Sequence, residues 1–122
     1  AALLAKARAG RADALPAASA LRMATLDGAA ALGIDSVTGS IEPGKWADLA
    51  CIDLMHVNSQ PVYDPISQVV YTVQPHQVRD VWVAGRHQVE GGRLTLIDTQ
   101  EILRRASEWR QRMPSGKDKI NK

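Results

Sequence analysis

Apolar and polar positions divide the chain into three zones. In the first, residues 1–35, Leu3, Leu4 and Ala7 share one helical face and Gly10 is a stop. This stretch reads as the end of a helix. Residues 11–15 read as a loop, and Pro16 suits a first helical turn, where its missing N–H would have no partner anyway. Ala17, Ala20, Leu21 and Ala24 form the next stripe. Two helices are expected to meet near Thr25, with its hydroxyl as N-cap and Asp27 in the positive first turn. The second should run to Leu32 and close at Gly33.

The second zone, residues 36–96, carries strand and turn chemistry. Pro43-Gly44 predicts a tight turn of type II, with glycine supplying the positive φ. The run 49–54 reads as a short buried strand. Asp64-Pro65 reads as an N-cap followed by proline at the first helical position. Ile66, Val69, Val70 and Val73 have helical spacing, although their β-branched content also suits a strand; helix is the favoured reading. Residues 78–83 form a clear strand. Ala84-Gly85 turns it, residues 86–89 return, and Gly91-Gly92 turns again before a strand over 94–97.

The third zone is an amphipathic helix. Thr99 is its expected N-cap, Ile102, Leu103, Ala106 and Trp109 lie on one face, and Met113-Pro114 ends it. Residues 114–122 are polar and charged, and are expected to be a disordered tail. There is no internal repeat. Together these elements give an α+β unit with a β-rich middle and helices at both ends.

Composition narrows the function. The chain has 122 residues, 45% of them hydrophobic, and a formal net charge of +2. Its length fits one domain or a piece of a larger one. A start at Ala1 rather than Met suggests a cut or incomplete chain. One cysteine excludes a disulfide framework and a cysteine-based zinc module. No apolar run nears the ~18–20 residues of a membrane span. There is no signal-peptide pattern at the start. A cytoplasmic protein without a membrane partner is the expectation. The charge is too small and too mixed for a nucleic-acid partner.

The residues with chemical potential have plain structural readings. His56, His76 and His87 are 20 and 11 apart, which gives neither His-X-His nor an i, i+4 pair, so surface or loop positions are expected. Asp48 and Asp53 bracket a strand and suit turn and strand-end roles. Cys51 has apolar neighbours and reads as a buried, inert thiol. Residues 36–40 lack the Gly-Lys-Ser/Thr ending of a phosphate loop. Trp46, Trp82 and Trp109 read as core or sheet-cover residues rather than a base-stacking platform. The lysines of the tail, Lys117, Lys119 and Lys122, sit beside Asp118 and read as a solvated end. The expected set of catalytic, cofactor-binding and metal-binding residues is therefore empty.

Three stretches together resemble the C-terminal end of the metal-dependent amidohydrolases. They are residues 20–33 (ALRMATLDGAAALG), residues 39–49 (GSIEPGKWADL), and 61–65 (PVYDP) leading to 81–86 (VWVAGR). The second is the most specific. The resemblance covers residues 1–112. Within the family it is similar to the branch that includes triazine chlorohydrolases and 5′-methylthioadenosine/S-adenosylhomocysteine deaminases. The run Tyr63-Asp64-Pro65-Ile66-Ser67-Gln68 favours the deaminase side.

The resemblance implies a complete enzyme with a (β/α)8 barrel and a small β-sandwich built from both chain ends. Residues 1–35 would be the closing helices of the barrel domain. Residues 36–98 would be the C-terminal part of the sandwich, and 99–113 a C-terminal helix packed back on the assembly. It also implies zinc or another divalent metal, held by barrel-strand residues that no position here matches. That metal would activate water for hydrolytic deamination of a purine nucleoside-type small molecule. The segment alone is expected to be inactive, with the missing N-terminal part of the enzyme as its partner. Half a sandwich leaves uncovered edges, so the isolated chain should be marginally stable, aggregate or pair with another copy. The rival readings are a non-catalytic α+β binding or interaction module and a weak nucleic-acid binder; mixed charge argues against the latter.

Overall fold

The computed structural model describes residues 1–113. Helix α1 (Ala2–Ala9) ends at Gly10, as its pattern predicts. Helix α2 (Ala17–Ala24) follows Pro16, which serves as N-cap rather than as a residue of the first turn. Helix α3 (Leu26–Ala31) begins after Thr25. The two helices do meet there, but the Thr25 hydroxyl does not cap α3. It donates backward to the Leu21 carbonyl at 2.9 Å, a common competitor for a threonine at a helix end.

Strand β1 (Leu49–Ile52) is shorter than the run 49–54. Helix α4 (Pro65–Tyr71) settles the ambiguous valine-rich stretch as helix. Its cap explains why: the Asp64 carboxylate accepts from the backbone N–H groups of Ile66 and Ser67 at 3.2 and 3.1 Å, and Pro65 starts the first turn without a wasted donor. Single 3-10 turns occupy Val57–Ser59 and Pro75–Gln77.

Strands β2 (Val78–Val83) and β3 (Arg86–Glu90) form the expected hairpin. Ala84 and Gly85 have φ of +48° and +75°, so the two-residue turn is of the type whose twist matches the strands. Strand β4 is only Arg93–Leu94, not the predicted 94–97. The four strands lie in sequence order in one antiparallel sheet. Helix α5 (Thr99–Arg112) is capped by Asp98, which accepts from Gln100 N–H at 2.9 Å, so the cap is one residue earlier than Thr99. Carboxylate beats hydroxyl here because it meets two adjacent donors and the positive end of the helix. The predicted tail, 114–122, lies outside the described residues.

Packing is thin. Helix α2 lies against α3 and α4, and the sheet forms the other body. Among the described residues, the buried apolar side chains are only Ala2, Ala17 and Ala29. Leu4, Ile41 and Leu96 are exposed, and so are Trp46 (55%) and Trp109 (64%), which corrects the reading of those two tryptophans as core or cover. The chain exposes 9970 Å², against about 6,400 Å² for a folded monomer of its mass.

Candidate functional site

The specific motif of the second zone builds a loop lock. Gly44 has φ +92°, and Lys45 N–H donates to the Glu42 carbonyl at 3.2 Å, closing the Pro43-Gly44 turn. The turn aims Lys45 back into the loop. Its Nζ donates to the Asp35 carbonyl at 2.6 Å and to the Ser40 hydroxyl at 2.8 Å, and its side chain is only 15% exposed. Trp46 N–H then donates to the Val37 carbonyl at 2.8 Å. Lys45 therefore gathers backbone and hydroxyl oxygens of 35–40.

Asp48 fixes this loop to the sheet. One carboxylate oxygen accepts from the Thr38 hydroxyl at 2.9 Å and the other from Ala84 N–H at 2.6 Å. Gly85 N–H donates to the Ala47 carbonyl at 3.1 Å. Asp53, beyond β1, accepts from Met55 N–H at 2.8 Å. Both aspartates thus hold strand ends. Gly39 makes the loop's closest approach to the helices. It has φ +90°, and a Cβ there would stand 2.7 Å from the Ala29 Cβ.

His56, half-buried, and His76, exposed, sit at the two 3-10 turns, as the surface or loop reading expects, whereas His87 lies on a strand. His56 and His76 come together, with ring centroids 4.8 Å apart in an edge-to-face arrangement. The His56 Nδ1 accepts from Asn58 N–H at 3.4 Å. Beneath them lies a buried pair invisible in the pattern. Gln77 Nε2 donates to the Ser59 hydroxyl at 2.7 Å and to the Asp53 carbonyl at 2.8 Å, while its Oε1 accepts from Gln74 N–H at 2.9 Å. His87 lies on β3, stacked on Trp82 at 4.5 Å and 7°, with Nε2 3.1 Å from an Asp80 carboxylate oxygen. Trp82 is half-buried, the one tryptophan that covers the sheet.

Cys51 is exposed, contrary to the buried thiol expected from its neighbours. It lies opposite Asp80 in the β1–β2 register, and paired positions share a face. The thiol thus belongs to the face of Asp80. Leu-Ala-Cys-Ile reads as buried throughout, but β1 is an edge strand. Among the described residues no three His, Cys, Asp or Glu side chains converge into a metal site.

The other surface is apolar. A cleft of about 720 Å³ runs between the helices and β1, lined by Leu21, Ala24, Leu32, Ile34, Ala50 and Ile52. A second, of about 330 Å³, shares Leu21, Ala24 and Val69 with it and reaches Ala2 and Leu3. No described helix is long and apolar enough to cross a membrane.

The sequence profile of the Amidohydrolase family matches residues 1–87. A 5-methylthioadenosine/S-adenosylhomocysteine deaminase of Teredinibacter turnerae is 46% identical over 113 residues, covering 93% of this chain and 26% of the relative. The enzyme of the same name from Saccharophagus degradans is 41% identical over 109 residues, covering 89% of this chain and 24% of the relative. The crystal structure of a Xanthomonas campestris adenosine deaminase with bound zinc superposes with a TM-score of 0.86 at 48% identity, over 91% of this chain and 25% of that one. A zinc complex of atrazine chlorohydrolase from Arthrobacter aurescens gives 0.71 at 34% identity, over 78% and 21%. The chain thus spans about a quarter of the length of these relatives. It belongs to the amidohydrolase family, with its similarities on the branch that holds these deaminases and triazine hydrolases.

Proposed function

We propose that this chain is the C-terminal portion of a zinc-dependent aminohydrolase that deaminates 5′-methylthioadenosine or S-adenosylhomocysteine. The observation that carries the reading is the likeness along nearly the whole chain to deaminases about four times as long. In this reading residues 1–35 close the barrel domain, 36–98 supply the C-terminal part of the sandwich, and 99–113 are the C-terminal helix. The remaining polypeptide covers the joined clefts beside α2. The large exposed area and the scarcity of buried apolar side chains support that need for a partner.

The segment's contribution is structural. Lys45, Asp48 and Gln77 hold the loop, the hairpin and the two 3-10 turns in one shape. Such a shape offers a firm seat to a barrel whose metal-binding strands come from elsewhere in the polypeptide. No catalytic step is assigned to residues 1–113, and the segment is inactive alone. The whole enzyme's compartment in this reading is the cytoplasm, and its substrate is a small molecule.

The test starts at the gene. The reading frame upstream of the Ala1 codon should encode a barrel with an early His-X-His. The protein expressed from the complete frame should release ammonia from one of the two nucleosides and lose that activity to a chelator. A start codon close to Ala1, with no such frame, would overturn the reading and favour a free-standing binding module.

A further inference from the structure

We draw no further inference here: the strongest candidate, the exposed apolar stripe of Ile102, Leu103, Trp109 and Met113 along α5, is an unpartnered helix face, and nothing in the structure shows what covers it.

Discussion

Gln77 and Ser59, 18 residues apart in sequence, meet in a 2.7 Å hydrogen bond with both side chains almost fully buried. They are the buried polar residues among those described. Gln77 uses both ends of its amide, donating to Ser59 and Asp53 and accepting from Gln74. A buried donor or acceptor left without a partner is costly, which makes this pair the most sensitive point of the loop region.

Replacing Gln77 with Leu should therefore destabilise the protein by about 2–3 kcal/mol, since it strands the Ser59 hydroxyl and removes partners of Gln74 and Asp53. Ser59→Ala should cost only about 1 kcal/mol, because Gln77 keeps its other bonds. Urea unfolding of the two variants beside the parent checks the order. Equal costs would show that the amide network has little weight.

Gly39 has a sharper requirement. Gly39→Ala adds a Cβ 2.7 Å from that of Ala29 at φ +90°, and should cost about 3 kcal/mol from strain and overlap together. Gly33→Ala is the control. Its φ is +70° and a Cβ there meets nothing within 4 Å, so only the conformational cost of about 1–2 kcal/mol remains. Thermal or urea midpoints separate the two. A Gly39→Ala variant no worse than Gly33→Ala would mean the loop does not press on α3.

Lys45→Met keeps the aliphatic stem but removes the ammonium that holds Asp35 and Ser40. About 1–2 kcal/mol should be lost. The Trp46 amide, bonded to Val37, should exchange its hydrogen faster than in the parent. Unchanged exchange would show that the turn holds the loop without the lysine.

The N-terminus of α4 should respond to acid. The Ser67 hydroxyl, and then the backbone N–H groups of Ser67 and Ile66, hold the Asp64 carboxyl below its ordinary value. A carboxyl whose folded pKa is lowered stabilises the fold fully above its unfolded value of 3.8. That contribution is lost as pH falls through the lower, folded value. Amide signals of Ile66 and Ser67 should shift over that acidic range and not between neutral pH and pH ~5. Asp64→Ala should abolish the transition. Its persistence in the variant would assign it to another group.

Local chemistry was readable in the sequence, and long-range meetings were not. The Asp64-Pro65 cap and the Ala84-Gly85 hairpin depend on residues within a few positions of each other, so their spacing carries the signal. His56 and His76 meet because two separate 3-10 turns pack together, and no periodicity spans that gap. The same holds for Ser59 and Gln77; a glutamine three residues after Gln74 was the one available hint of a capped turn. Cys51 misled because an apolar run does not say which strand lies at the edge. The resemblance to amidohydrolases was carried by the 39–49 motif, whose Lys45 and Asp48 prove to be structural locks. Trp46 in the same motif stays exposed, a position that local pattern alone cannot assign.

In the proposed function these residues complete a deaminase made mostly from other parts of the same polypeptide. Complementation tests it most directly. The upstream portion and residues 1–122 would be expressed separately, mixed with zinc, and assayed for ammonia release from 5′-methylthioadenosine and S-adenosylhomocysteine. Activity should appear only in the mixture, and Gly39→Ala in the smaller part should weaken it. Deamination by residues 1–122 alone, or by the upstream portion alone at the full rate of the mixture, would contradict the claim.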